Sequence, residues 1–306
     1  MGKKKIILLA GPTASGKSKL AIQMANYFGG EIINADSMQV YKEISVLTSK
    51  PNMQDIKKVK HHLYGINSVK KKFSTGSWLK LALKKIEVQW SNEQTPIIVG
   101  GTGLYFKALT QGLVQIPDIP NDLRTEIRKL HKKIGQKNFF NKLIKLDPLA
   151  TKFILPSDSQ RSMRTYEVKK FTSKSLFEFI KETKSNFKND VFKKLFINIP
   201  RDFLRIKISK RVEKMFSDGA VVEVENFLKM KIYRELSANK IIGIKEIRDH
   251  LRGKITLSEA KELISLKTRQ YAKRQFTWAR GHMKSWEMIY SPNINDLFSK
   301  AINKIS

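Results

Sequence analysis

The feature that most constrains this chain is an eight-residue, glycine-containing segment close to its start. Residues 11–18 have the sequence GPTASGKS, which matches G-x-x-x-x-G-K-[S/T] at every fixed position. An apolar run, Ile6–Ala10, precedes the segment, and Lys17–Phe28 carries apolar residues at helical spacing. A strand, a glycine turn and a helix in this order direct backbone N–H groups and a helix N-terminus at one point. The segment therefore predicts a site for a diphosphate or a triphosphate.

Each part of this segment has an expected role at the phosphate. The glycines let the backbone wrap around the ligand, Lys17 is expected to reach its oxygens, and Ser18 is expected to ligate Mg²⁺. Magnesium is thus the one cofactor that the sequence predicts. An ordinary glycine turn is the alternative. The predicted phosphate-binding residues are Gly11, Pro12, Thr13, Ala14, Ser15, Gly16, Lys17 and Ser18.

Strand and helix patterns alternate around this segment. Further strands are predicted at 31–35, 97–99 and 195–200, and helices at 17–28 and 77–90. This alternation predicts an α/β fold with a P-loop parallel-sheet core covered by helices. In such sheets ligands bind at the carboxyl ends of the strands.

The pattern changes after Pro120. Residues 121–190 are polar and helical in pattern, and strand character returns near Leu195. We therefore predict a core formed by 1–120 and 191–306, with an inserted helical module at 121–190. The sequence Thr-Leu-Ser-Glu at 256–259 predicts a capping box that opens a long helix.

The composition of the chain indicates which partners it attracts and in which cellular compartment it is expected. The net charge is +32, from 59 basic and 27 acidic residues, and such a charge attracts polyanions such as RNA. Most of the basic residues are lysines spread evenly along the chain, so a lysine-rich background explains the charge equally well. The absence of cysteine excludes disulfides and thiolate chemistry and suits a reducing compartment. With no run long enough to span a bilayer, we expect a cytoplasmic protein with no membrane partner.

A carboxylate stands at the end of the second predicted strand. Asp36, beside a phosphate site, suggests a general base acting on an acceptor nucleophile. The strand at 97–99 ends in glycine, without the Mg²⁺-binding carboxylate that an NTP-hydrolysing machine needs there. The alternative is that Asp36 caps a helix together with Ser37.

A series of motifs in matching order and spacing resembles the tRNA dimethylallyltransferase family, also called tRNA isopentenyltransferases. The resemblance covers nearly the whole chain and is carried by 11–18, 36–41, 50–51, 61–63, 100–105, 158–164, 242–246 and 268–278. The chain departs from the family at Ile244, where tyrosine is usual, which predicts a weaker RNA contact.

The resemblance implies an activity and roles for particular residues. A dimethylallyl group would pass from dimethylallyl diphosphate to N6 of adenosine-37, 3′ of the anticodon of a tRNA, with release of diphosphate. Asp36 would be the base, and Arg211 would hold the diphosphate. Thr102 would orient the amine or form a hydrogen bond with Asp36.

The resemblance also implies contacts with the anticodon stem-loop, and it makes the inserted helical module at 121–190 a tRNA-binding module. The implied tRNA-binding residues are Asp36, Ser37, Met38, Gln39, Thr102, Arg124, Gln160, Arg161, Ser162, Met163 and Arg164. A solvated helix face is the alternative for Arg161 and Arg164. On the last long helix, Arg269, Lys273 and Arg280 share a face, as an RNA contact or as plain surface. Nothing in the sequence requires a dimer, so we expect a monomer.

Two other functions are compatible with the phosphate motif. A P-loop nucleoside or nucleotide kinase would share the motif and Asp36, but the helical insert and the basic C-terminal helices are large for a small-molecule kinase. An RNA-binding ATPase would need the strand-end carboxylate that is absent after Val99.

Overall fold

The computed structural model describes residues 4–305. Its strands are β1 (Ile6–Ala10), β2 (Glu31–Asn34), β3 (His61–His62), β4 (Pro96–Gly100), β5 (Phe192–Ile197) and β6 (Glu287–Ile289). Its α-helices are α1 (Lys17–Phe28), α2 (Met53–Lys58), α3 (Thr75–Ser91), α4 (Gly103–Gln111), α5 (Asn121–Leu146), α6 (Ala150–Phe153), α7 (Ser159–Thr172), α8 (Leu176–Glu182), α9 (Arg201–Ser217), α10 (Ala220–Lys229), α11 (Ile244–Leu251), α12 (Leu257–His282) and α13 (Ile294–Ile305).

The six strands form one parallel sheet in the order β3-β2-β4-β1-β5-β6. The central strand β1 is buried along its whole length, and Leu9 lies in register with Val99 on one side and Leu195 on the other. A strand buried on both faces needs an unbroken apolar run, which is what residues 6–10 supply. The parallel α/β fold predicted from the sequence is confirmed.

Helices pack against both faces of the sheet. On one face, Ile7 and Leu9 contact Leu20 and Met24 of α1 within an apolar cluster that also includes α13. On the other face, Trp78 of α3 is fully buried, and its Nε1 donates a hydrogen bond to the Asn34 carbonyl oxygen at 2.6 Å. Burying each such side chain contributes about 1.5–3 kcal/mol, so these contacts fix the helices on the sheet.

The ends of the two predicted helices follow local rules. Gly16, at φ 96°, precedes α1 and Gly29, at φ 59°, ends it, in a conformation that glycine adopts without strain. At the start of α12, the Thr256 Oγ1 accepts from the Glu259 N–H at 3.2 Å, and a Glu259 carboxylate oxygen accepts from the Thr256 N–H at 2.7 Å. The predicted capping box is confirmed.

The chain divides into two compact units. One consists of 4–110 and 187–305 and contains the sheet, and the other is Gln111–Asn186. The second unit is helical, with a core around Phe139 and Leu143, where the sequence had predicted a helical module at 121–190. Between residues 4 and 305, no helix has both the length and the apolar character needed to cross a bilayer.

Candidate active site

The phosphate motif forms a tight turn between β1 and α1. Ala14 and Gly16 both have positive φ, 63° and 96°, which curls the backbone around the N-terminus of the helix. The Lys17 Nζ donates a hydrogen bond to the Pro12 carbonyl oxygen at 2.6 Å, across the mouth of the turn. The Ser15 hydroxyl is buried and has no hydrogen-bond partner among the described residues, so the turn retains an unused polar group.

A cleft of about 500 Å³ opens above this turn. The motif residues form its floor, and Thr48 and Ser49 lie in its wall. Helix α9 contributes four cations at helical spacing, Lys207, Lys210, Arg211 and Lys214. A cleft that is lined by cations and by helix N–H groups favours a polyanionic ligand.

Arg211 is the best enclosed of these cations. Its Nη2 lies 3.4 Å from the Thr48 carbonyl oxygen, and its Nε is buried without a partner among the described residues. Burial lowers the pKa of Arg211, and Asp36 opposes that change. Burial also lowers the pKa of Lys17 to about 8, with Arg211 adding to the effect and Asp36 opposing it. An anion in the cleft would relieve the mutual repulsion of the two cations.

Asp36 follows β2 directly, and its backbone is fixed by Asn34. The Asn34 Oδ1 accepts from the Asp36 N–H at 2.8 Å, while its Nδ2 donates to the Asp36 and Leu63 carbonyl oxygens. The Asp36 Oδ1 accepts from the Met38 N–H at 2.9 Å, which makes a local turn rather than a helix cap, since no helix begins here. The carboxylate is thus held at the carboxyl end of the sheet.

Thr102 follows β4 and meets the residue after Asp36. Its Oγ1 accepts from the Ser37 N–H at 2.9 Å and lies 3.3 Å from the Ser37 Oγ. Tyr271 and Gln275 of α12 line a cavity together with Thr102, and burial raises the pKa of Tyr271. Thr102 therefore lies between the Asp36 turn and α12, and its observed hydrogen-bond partner is Ser37 rather than Asp36.

Two smaller cavities continue from the cleft. One, of about 190 Å³, has mainly apolar walls, with Leu47, Met215 and Ile264 among them. The other, of about 290 Å³, lies beside Thr102 and Trp278. Adjacent cavities share lining residues: Asp36 borders the cleft and the apolar cavity, while Met38, Tyr271 and Arg274 border the apolar cavity and the Thr102 cavity.

The three cavities thus adjoin one another in order from the phosphate turn to Thr102, and Asp36 lies where the first two meet. The cationic cleft and the apolar cavity together suit a molecule with an anionic end and an apolar end, and the Thr102 cavity leaves room for a second molecule. The arrangement suits group transfer between two substrates.

Comparison with known proteins identifies the family. A family model described as IPP transferase matches residues 39–282. The chain belongs to the IPP transferase family. A tRNA dimethylallyltransferase from Pelagibacter ubique is 51% identical over 302 residues, which is 99% of this chain and 96% of that protein.

Solved structures of family members are similar over almost the whole chain. A tRNA isopentenylpyrophosphate transferase from Bacillus halodurans has a TM-score of 0.70 and 30% identity, with 99% of this chain and 97% of that chain covered. A eukaryotic dimethylallyltransferase acting on tRNA has a TM-score of 0.82 and 29% identity, with 94% of this chain and 74% of that chain covered. The fold and the family of transferases are therefore established together.

Within this IPP transferase fold, some site residues escaped the sequence prediction. Lys207, Lys210 and Lys214 line the cleft, and their spacing of three and four positions, which is typical of one helix face, was the signal that could have found them. On α12, Arg274 borders two cavities. The predicted stripe lies elsewhere: Arg269 lines a separate groove beside α9, and Lys273 and Arg280 are exposed.

Two residues in the family motifs make contacts within the protein. Gln39 was expected at tRNA, yet its Nε2 donates to the carbonyl oxygens of Thr48 and Ser49 at 2.9 and 3.0 Å and braces the cleft wall. Ile244 is 2% exposed within an apolar cluster, so the side chain has no surface for the RNA contact expected at this position. Trp278 is half-buried and borders a cavity.

The remaining predicted tRNA-binding residues lie in the helical unit Gln111–Asn186, on α5 and α7. Arg161 pairs with Asp158 at 2.8 Å, and Arg164 pairs with Glu167 at 3.5 Å. Ser162 is 0% exposed, and its hydroxyl donates to the Asp158 carbonyl oxygen, so the structure does not support a direct contact by Ser162. The others are Arg124 and Met163, both half-buried, and Gln160, which is exposed.

Proposed function

We propose that this chain transfers a dimethylallyl group from dimethylallyl diphosphate to N6 of adenosine-37 in tRNA, with release of diphosphate. The observation that carries the proposal is the position of Asp36, which borders both the cationic cleft and the apolar cavity next to it. The names of the relatives, tRNA dimethylallyltransferases from Pelagibacter ubique and Rickettsia felis, support the same substrates.

Each part of the donor matches a different surface. The diphosphate fits the cleft, where the Ser15 hydroxyl, the Arg211 Nε and the Lys17 ammonium are available to it. The five-carbon tail fits the apolar cavity at Leu47 and Met215. The donor carbon that bears the diphosphate would then lie near Asp36, at the junction of the two.

The acceptor adenine enters from the opposite side. We place its ring in the cavity at Thr102 and Trp278, out of the base stack, as enzymes that modify a base require. The amine N6 is a weak nucleophile because its lone pair is delocalised into the ring. In the transfer, N6 bonds to the allylic carbon, the carbon–oxygen bond to diphosphate breaks, and the Asp36 carboxylate takes the proton that N6 loses. Arg211 and Lys17 stabilise the charge on the departing diphosphate.

The residues of the cleft fit a magnesium ion. Ser18 borders the cleft at the start of α1 and offers a hard oxygen ligand. No cluster of three or more His, Cys, Asp or Glu side chains suited to a metal occurs within residues 4–305. The ion would therefore take most of its ligands from the diphosphate and from water, as Mg²⁺ commonly does. When bound, it would supply positive charge beside the leaving group.

We also propose that the protein acts as a monomer in the cytoplasm. Nothing in the sequence requires a second copy. We propose the cytoplasm because the proposed substrate is a tRNA.

The proposal is tested by incubating the protein with Mg²⁺, radiolabelled dimethylallyl diphosphate and unmodified tRNA that carries adenosine after the anticodon. Label is expected in the tRNA, and nuclease digestion should locate it on the nucleoside at position 37. Asp36→Asn keeps the shape of the side chain and removes the base, so label is expected to fall about 10²–10⁴-fold.

The matched control is Asp55→Asn, because Asp55 lies on α2, away from the three cavities. It should transfer label at the wild-type rate. Undiminished transfer by Asp36→Asn would assign the base to another group. Absence of label with the wild-type protein, together with phosphate transfer from ATP to a nucleoside, would replace the proposal by a kinase.

A further inference from the structure

A carboxylate on α10 holds a loop of the catalytic unit through the loop's backbone. Glu223 Oε1 accepts hydrogen bonds from the N–H groups of Ser45 and Val46 at 2.5 and 2.7 Å, and Oε2 accepts from the N–H of Leu47 at 2.9 Å. The Ser45 hydroxyl donates to Oε1 as well, at 3.1 Å. Three successive amides on one carboxylate form an arrangement like that at a helix N-terminus, supplied here by a residue 176–178 positions away.

The held segment is residues 44–50, and it is the shared wall of two cavities. Thr48 borders both the cationic cleft and the apolar cavity, Ser49 borders the cleft, and Leu47 borders the apolar cavity. The Thr48 carbonyl oxygen also accepts from Gln39 Nε2 at 2.9 Å and faces Arg211 Nη2 at 3.4 Å. The position of the Thr48 carbonyl oxygen therefore affects the position of the Arg211 guanidinium.

Other hydrogen bonds of the segment do not involve the 45–47 amides. Lys50 donates to the Tyr41 and Lys42 carbonyl oxygens, which closes the base of the loop, and the Thr48 hydroxyl donates to the Ile44 carbonyl oxygen inside it. These contacts join parts of the same loop. Glu223 instead ties the 45–47 amides to α10, beside the contacts that Gln39 and Arg211 make with the Thr48 carbonyl oxygen.

We infer that Glu223 is a positioning residue for the prenyl diphosphate donor. It acts through the segment 44–50, and it touches neither substrate. The inference rests on the proposed function for the identity of the donor. Loss of the carboxylate leaves three amides without their acceptor, so the segment relaxes and both donor surfaces change together, while the acceptor cavity at Thr102 contains no residue of the segment.

The test compares wild type with Glu223→Gln, Glu223→Ala and Glu225→Ala. The Gln variant keeps one carbonyl acceptor for Ser45 and Val46 and presents an N–H₂ group to Leu47. Glu225 lies two positions further along the same helix, in a different direction, and serves as the matched control. Hydrogen exchange at the backbone amides of residues 45–47 measures whether these amides are still hydrogen-bonded. KM for dimethylallyl diphosphate, KM for tRNA and Kd for inorganic diphosphate report its consequence.

In Glu223→Ala we expect faster exchange at the 45–47 amides and a rise of about tenfold in the donor KM and in the diphosphate Kd, with the tRNA KM unchanged. The exchange rates, the donor KM and the diphosphate Kd of Glu223→Gln should lie between those of Glu223→Ala and wild type. Those of Glu225→Ala should match wild type. Faster exchange with an unchanged donor KM and diphosphate Kd would overturn the inference, and so would unchanged exchange. An equal rise in both KM values would reveal a general structural defect instead.

The two proposals fail in different ways. If the wild-type protein transfers no label to tRNA, the proposed function fails, yet exchange and diphosphate affinity still decide whether Glu223 holds the cleft wall. If transfer proceeds and Glu223→Ala keeps the wild-type donor KM, only the positioning role fails.

Discussion

Gln275 and Thr13 lie 262 positions apart, and their contact joins the last long helix to the phosphate turn. The Gln275 Oε1 accepts from the Thr13 N–H at 2.9 Å, and its Nε2 donates to the Gly101 carbonyl oxygen at 3.0 Å. One buried amide thus links the turn after β1 to the turn after β4. An added Cβ at Gly101 would lie 2.1 Å from the Gln275 Nε2, so a side chain there would displace this amide from its contacts.

Replacing this amide should weaken both the fold and the phosphate site. In Gln275→Leu, the Thr13 N–H and the Gly101 carbonyl lose their partners, at about 1–3 kcal/mol for each group that stays buried. We expect a lower Tm and a higher Kd for inorganic diphosphate, measured by thermal melting and calorimetry. Gln270→Leu, on the exposed side of the same helix, is the control. Wild-type values for Gln275→Leu would show that the amide bridge is dispensable.

Lys17 is expected to lower the stability of the folded chain while it favours diphosphate binding. Because its pKa in the folded chain is lowered from 10.5 to about 8, the unfolded chain binds more protons between those pH values. The contribution of Lys17 to the free energy of unfolding is therefore unfavourable below pH 8 and improves as the pH rises from 8 to 10.5. Lys17→Met should raise the Tm at pH 7 and remove diphosphate binding.

The same shift should appear as proton uptake on binding. Near pH 8.5 much of Lys17 is neutral in the free protein, and a bound diphosphate would favour its charged form. Calorimetry of diphosphate binding in buffers of different ionisation enthalpy should show net uptake at pH 8.5 and little at pH 6.5. Equal proton uptake at both pH values would exclude Lys17 as the source.

Arg211 should not be replaceable by lysine. Its Nε is buried and has no partner within residues 4–305, and its Nη2 faces the Thr48 carbonyl oxygen, a geometry that uses the planar shape of the guanidinium. Arg211→Lys is expected to raise the Kd for diphosphate by about 10–100-fold, on the scale of a lost charge-assisted hydrogen bond. Arg205→Ala, exposed on the same helix, should bind as wild type does. Equal binding by Arg211→Lys would mean that charge alone suffices.

The helical unit Gln111–Asn186 can be tested through Arg161. The side chain is 73% exposed, and its pair with Asp158 is worth about 0–1 kcal/mol, so Arg161→Ala should barely change the Tm. If Arg161 contacts an RNA phosphate, the KM for tRNA should rise about threefold or more and the salt dependence of binding should decrease by about one unit of slope. Arg128→Ala is the control. An unchanged KM would assign Arg161 to the solvated helix face.

Local patterns made much of the fold predictable. The apolar run at 6–10 and the helix at 17–28 have the predicted bounds, because a fully buried strand and an amphipathic helix each leave a period in the sequence. The capping box at Thr256 depends on residues three positions apart and was equally visible. The shortest strand, His61–His62, has too few residues to leave any period and was not predicted.

The sequence by itself determined the phosphate turn, the parallel sheet and the placement of Asp36 at a strand end, since each depends on neighbours within a few residues. Only the tertiary structure decided which distant side chains meet there. It brought Gln275 to Thr13, Glu223 to the segment 44–50 and Arg274 to two cavities, and it buried Ser162 and Ile244. The physical reason is that a contact across hundreds of residues depends on how the helices pack against the sheet, and local spacing carries no record of that packing.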